Sequence, residues 1–144
     1  MTSNRKGIIV IHGTMGSVLK KDGKKIWPIV NGSLFHYENN LLPLDNGVEP
    51  SHLLITYKKL YSSLKRAFDN VEEFIYDWRL NNLEHVSLLK SKISSMDVDE
   101  ITIVAHSMGG IISKLCINSY PDDPDIKKVK RLITLGTPWK GSME

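Results

Sequence analysis

Cysteine is almost missing from this chain: Cys116 is the only one in 144 residues. A disulfide framework is therefore excluded, and with no Cys-x-x-Cys spacing so is a thiolate metal site. Long apolar runs are missing too. The longest, such as residues 8–11, have the length of a strand and not of a membrane span. Residues 1–7 do not lead into an apolar core with a small-residue cleavage site, so no signal peptide is expected; together with the scarcity of cysteine this points to a cytoplasmic setting. Charge of one sign is scarce: 19 Lys and Arg against 16 Asp and Glu leave a net charge of +3. That small excess is spread along the chain, which argues against a nucleic-acid partner. None of the five histidines stands at a metal-ligand spacing with carboxylates. Neither G-x-G-x-x-G nor G-x-x-x-x-G-K-[ST] occurs, and Lys140-Gly141-Ser142 has the wrong order for a phosphate loop. No metal or cofactor is expected.

What is present is an ordinary globular composition, 41% hydrophobic, enough for one domain that buries roughly two thirds of its unfolded surface. Residues 7–12 form a short β-branched run that reads as a strand buried on both faces. Similar runs follow at 73–76, 101–105 and 131–135. Between them lie helical periods: Leu53, Tyr57, Leu60, Leu64 and Phe68 make one stripe, and Leu83, Val86, Leu89, Ile93 and Met96 another. Asn81 with Glu84 predicts a capping pair at the start of the second. A third helix is expected from about Met108 to Tyr120, stopped by Pro121. The alternation predicts an α/β fold, an open, mainly parallel sheet with helices on both faces. Residues 17–50, rich in Asn, Gly, Pro and Lys, read as an irregular excursion after the first strand, with an exposed turn at 20–25.

The sharpest motif is Val104-Ala105-His106-Ser107-Met108-Gly109-Gly110, between a predicted strand and a predicted helix. A serine on such a turn is strained, and works only if the residues two before and two after are small, as Ala105 and Gly109 are. The turn holds the Ser107 hydroxyl above the sheet and aims the Met108 amide at a developing oxyanion. This is a nucleophile elbow with Ala in the first glycine position of G-x-S-x-G. The second motif, His12-Gly13-Thr14-Met15-Gly16-Ser17, follows the first strand, and its glycines let the backbone turn back over the sheet edge. Thr14 is the expected second oxyanion donor, with Met15 the next choice.

With Tyr76-Asp77-Trp78-Arg79 and Leu135-Gly136-Thr137-Pro138-Trp139-Lys140-Gly141-Ser142, these motifs occur in the order and spacing of one family. The chain resembles the lecithin:cholesterol acyltransferase-like, lipase branch of the α/β-hydrolase fold, from residue 7 to residue 142. The resemblance implies Ser107 as an acyl-accepting nucleophile, Met108 and Thr14 as the oxyanion hole, and a lipid or other carboxylic ester as substrate. It implies that Asp77 and Arg79 pair at a strand-to-loop corner, as a support of the site or a plain structural salt bridge. Trp78 and Trp139 would line an acyl pocket or pack as core.

One absence cuts against that assignment. A hydrolase of this fold presents Ser, then Asp or Glu, then His in chain order. After Ser107 stand Asp122, Asp123, Asp125 and Glu144, and no histidine. His106 should point away from the hydroxyl of its neighbour; His12 is the nearest other candidate, and His36, His52 and His85 read as structural. Loss of the base lowers turnover about a millionfold, with a residual of about 10³–10⁴ over water. The chain thus reads as a single domain, incomplete after the strand ending near Leu135, whose exposed edge favours self-association. Two functions follow: a serine hydrolase or acyltransferase whose acid and histidine lie elsewhere, or a non-catalytic binding or scaffold module derived from one.

Overall fold

The computed structural model describes residues 4–29, 41, 44 and 47–141; His36, Ser142 and Glu144 lie outside them. Strands β1 (Lys6–Ile11), β5 (Asn70–Phe74), β6 (Glu100–His106) and β7 (Val129–Leu135) form a parallel sheet in the order β5-β1-β6-β7. Every residue of β1 after Lys6 is buried, as its unbroken apolar run requires of a central strand. Alternate side chains of β1 feed two cores. Ile9 and Ile11 join Leu89, Ile93, Ile103 and Ile112 on the side of α2 (Glu84–Ser95) and α3 (Met108–Ser119). Ile8 and Val10 join Val71 beneath Leu60, Tyr61 and Leu64 of α1 (Ile55–Ala67). The expected α/β architecture with helices on both faces is what the structure shows.

Four local expectations change. The strand predicted at 73–76 lies at Asn70–Phe74, because register with β1 pairs Gly7 with Asn70 and Ile11 with Phe74. At the sheet's edge Val71 and Phe74 are buried while Glu72 stays exposed, so the pairing includes polar residues that an apolar run leaves out. Leu53 and Phe68 lie outside α1: Leu53 ends β4 (Val48–Leu53), and Phe68 is an exposed C-cap. Asn81 does cap the approach to α2, its side-chain oxygen accepting the Leu83 amide at 3.0 Å, but three residues before the first helical one. The excursion at 17–50 is not wholly irregular. Its described part contains β2 (Ser17–Lys21) and β3 (Lys24–Trp27), which with β4 form an antiparallel sheet in the order β3-β2-β4. Asp22 and Gly23 close the first hairpin with φ of 49° and 73°, the pair of positive angles that a two-residue hairpin turn needs. Leu19, Ile26 and Leu41 make its small core.

Candidate active site

Ser107 stands between β6 and α3 with φ 51° and ψ −124°, a conformation that L side chains avoid. Three contacts hold it there. Its own amide donates to the Leu135 carbonyl at the end of β7 (2.8 Å), and its carbonyl accepts from the Gly110 amide (3.0 Å). Gly109 packs so tightly on the end of β1 that an added Cβ would lie 2.5 Å from the His12 carbonyl oxygen. Ala105 is fully buried on the strand side. The small residues two before and two after the serine are thus where helix and strand approach most closely.

The loop after β1 lies beside this turn. A Cβ on Gly13 would fall 2.7 Å from the Ser107 Cβ. The Gly16 amide donates to the Gly13 carbonyl (3.1 Å), and Met15 has φ 62°, so residues 13–16 form a β-turn with a left-handed third position. Thr14 is exposed and its hydroxyl donates to the Met108 sulfur (3.6 Å), which joins the two motifs. The amides of Thr14, Met15 and Met108 have no acceptor among the described residues, whereas that of Gly13 donates to the Tyr57 hydroxyl (3.1 Å).

Each described histidine has a neighbour other than Ser107. His12 is fully buried: Nδ1–H donates to the Gly13 carbonyl (2.8 Å), and Nε2 accepts the Tyr76 amide (3.3 Å). Its ring stacks on that of Tyr76 at 4.1 Å, and the Tyr76 hydroxyl donates to the His12 carbonyl (2.7 Å). Burial lowers its pKa to about 4, so the ring is neutral and both nitrogens are occupied. His106 is exposed and turns toward α1, sharing a 2.7 Å hydrogen bond with Tyr57 through Nδ1. Its Nδ1 and the Ser107 Cβ both flank Gly13, at 3.1 and 2.7 Å from where a Cβ on that glycine would lie. His52 pairs with Ser51 (3.0 Å). His85 is buried under Tyr76, at 4.7 Å between rings, where burial pushes its pKa down. Among the described residues, the acids after Ser107 pair with lysines: Asp123 with Lys90 (2.9 Å), Asp125 with Lys128 (2.8 Å) and Asp122 with Lys127 (3.7 Å).

Asp77 and Arg79 pair at the corner after β5, with side chains 5% and 4% exposed. Arg79 reaches both carboxylate oxygens, by Nε (2.9 Å) and a terminal nitrogen (2.7 Å), while its other terminal nitrogen donates to the Leu41 carbonyl (3.1 Å). The pair ties this corner to the excursion. Trp78 packs as core, edge-on to Trp27 at 5.4 Å, with its indole N–H donating to the Ser17 carbonyl. Trp139 is 54% exposed beyond Gly136, whose φ is 60°. Thr137 lies against Gly110. Among the described residues, no three His, Cys, Asp or Glu gather as metal ligands, and no helix is long and apolar enough to cross a membrane.

The residue that sequence reading missed is Tyr57. It reads as one more member of an amphipathic stripe, and only its hydroxyl among leucines sets it apart.

The sequence model of one family, lecithin:cholesterol acyltransferase, matches residues 56–144, which include the serine turn and the Gly-Thr-Pro segment. No curated protein and no solved structure matches the chain.

Proposed function

The chain belongs to the lecithin:cholesterol acyltransferase family, and from that premise we propose that Ser107 is the nucleophile of a hydrolase or acyltransferase acting on lipid or other carboxylic esters. The observation that carries this reading is the Ser107 backbone, φ 51° and ψ −124° at the carboxyl end of a parallel strand. A residue held there costs on the order of 1–3 kcal/mol, and such strain clusters where a side chain must be presented for chemistry. In an open α/β sheet that edge is also where ligands bind.

In this reading the Ser107 oxygen attacks the ester carbonyl carbon while a general base takes its proton. The tetrahedral oxyanion accepts hydrogen bonds from the amides of Met108 and Thr14, each worth about 2.7–4 kcal/mol in the transition state. The carbon–oxygen bond to the alcohol breaks, the base returns its proton to the departing alcohol, and the acyl group remains on Ser107. Water or a second alcohol then removes it by the same steps in reverse. His12 is buried with both ring nitrogens engaged and Nδ1 of His106 is held by Tyr57, so the base and its acid partner are proposed to lie outside the described residues, further along the protein or on another chain.

Labelling with a fluorophosphonate probe tests the nucleophile. Stoichiometric modification of the intact gene product, lost in Ser107→Ala, is the expected result. Folded protein that takes up no label would remove Ser107 from this role. The commitment of the neighbouring histidines favours a second reading, a binding module that holds an ester without cleaving it. Equal ester binding by wild type and Ser107→Ala, with no turnover by either, would support it.

A further inference from the structure

We infer that Tyr57 is a positioning residue of the oxyanion site, acting through the loop at 12–16; the inference rests on the esterase reading above. Tyr57 belongs to neither motif around Ser107, yet its hydroxyl touches both. It accepts the Gly13 amide at 3.1 Å and shares a 2.7 Å hydrogen bond with Nδ1 of His106, the residue before the serine. Having accepted from Gly13, the phenol oxygen keeps its O–H and one lone pair for the bond it shares with Nδ1, donating to it in the tautomer that leaves Nδ1 unprotonated. The chain Gly13 N–H, Tyr57 O–H, His106 Nδ1 is one in which each bond polarises the next. The Tyr57 ring also stands edge-on to His106 at 5.6 Å and to His12 at 6.2 Å.

The same helix holds the other end of the loop. The Leu54 amide, at the N-cap of α1, donates to the Gly16 carbonyl at 2.9 Å. The β-turn that presents Thr14 is therefore clamped at Gly13 by the Tyr57 hydroxyl and at Gly16 by the start of the helix. Engaging Gly13 also decides which amides of the loop stay available. With the Gly13 N–H taken by the phenol, those of Thr14 and Met15 are left for an oxyanion. Removing the hydroxyl leaves the Gly13 amide without its acceptor and lets the turn rotate, while the ring still fills its place.

The test compares Tyr57→Phe with Tyr61→Phe in the intact gene product. Tyr61 lies on the same helix, and its hydroxyl donates to the Val71 carbonyl, away from the loop. The readouts are kcat and KM on a short p-nitrophenyl ester, and affinity for an alkyl boronic acid that forms a tetrahedral adduct with serine. Tyr57→Phe is expected to lower kcat about ten- to a hundredfold, leave KM within about twofold, and weaken boronate binding by the same factor as kcat. Tyr61→Phe is expected to leave all three unchanged. Should Tyr57→Phe fail to fold, His106→Ala serves instead, since it releases the phenol from its second anchor; lowered kcat with matching loss of boronate affinity supports the inference, and wild-type values overturn it. Activity that survives in Ser107→Ala would defeat the nucleophile reading and this inference with it. An inactive Ser107→Ala beside a Tyr57→Phe with wild-type kcat, or with unchanged boronate affinity, would overturn the inference alone.

Discussion

Replacing Gly109 by alanine sets two effects of one methyl group against each other. Helix propensity favours alanine over glycine by roughly 0.5–1 kcal/mol within a helix. Packing opposes it, because the added Cβ would lie 2.5 Å from the His12 carbonyl oxygen and 2.8 Å from the Ile11 Cγ2. An ordinary carbon–oxygen contact is about 3.3–3.6 Å, so α3 and the end of β1 must separate by roughly 0.8–1 Å. The atom in the way is backbone of a central strand, so the helix is what moves. Overpacking of this kind costs about 1–3 kcal/mol, more than propensity returns. Chemical denaturation should therefore show a net loss of about 1–2 kcal/mol. The larger consequence is for chemistry. Ser107 and the Met108 amide ride on the first turn of α3, and a displacement near 1 Å lowers reaction rates about a hundredfold. The rate of fluorophosphonate labelling is the assay. Gly109→Ala that labels and unfolds like wild type would refute the claim that this close approach shapes the site.

Arg79→Leu should destabilise the protein by about 3–5 kcal/mol, because it leaves the buried Asp77 carboxylate without its cation; a urea titration showing less than about 1 kcal/mol would mean that water or another group takes over. His12 has a folded pKa of about 4 against 6.5 unfolded. The unfolded chain therefore binds more protons between those values, and stability present above pH 6.5 should fall by about 3 kcal/mol as pH drops to 4. Denaturation at successive pH values checks the slope, and an NMR titration in which His12 protonates above pH 6 would contradict it. On the edge strand β7, Ile133 and Leu135 are 47% and 46% exposed. Replacing both by lysine should reduce self-association in sedimentation velocity, and an unchanged distribution of species would clear this edge of that role.

Much of the fold was legible in residue order. The β-branched runs at 7–12 and 101–105 needed no tertiary information, because a central strand buried on both faces has no polar alternation to obscure it. The edge strand Asn70–Phe74 was misplaced for the complementary reason: with its solvent side carrying Glu72, pairing with β1 rather than hydrophobicity decides where it begins. The sheet β3-β2-β4 was hidden because lysines flank its hairpin, and the Asp22-Gly23 turn was its one plain signal. At the site, the serine turn and the loop beside it were readable from Ala105, Gly109, Gly13 and Gly16, since close backbone approach demands small residues and leaves that demand in the sequence. The state of His12 was not readable. Its neutrality follows from burial under Tyr76, a residue 64 positions away.

By itself, then, the order of residues determined the strand and helix alternation and the strained serine between Ala105 and Gly109, because steric limits on a turn act within a few residues. Tertiary structure alone decided the distant partners: Tyr57 on Gly13 and His106, Tyr76 on His12, and Arg79 on the Leu41 carbonyl. The first two exist because parallel pairing of β5, β1 and β6 brings their carboxyl ends to one edge, where α1 sets a hydroxyl between two loops that no local rule connects.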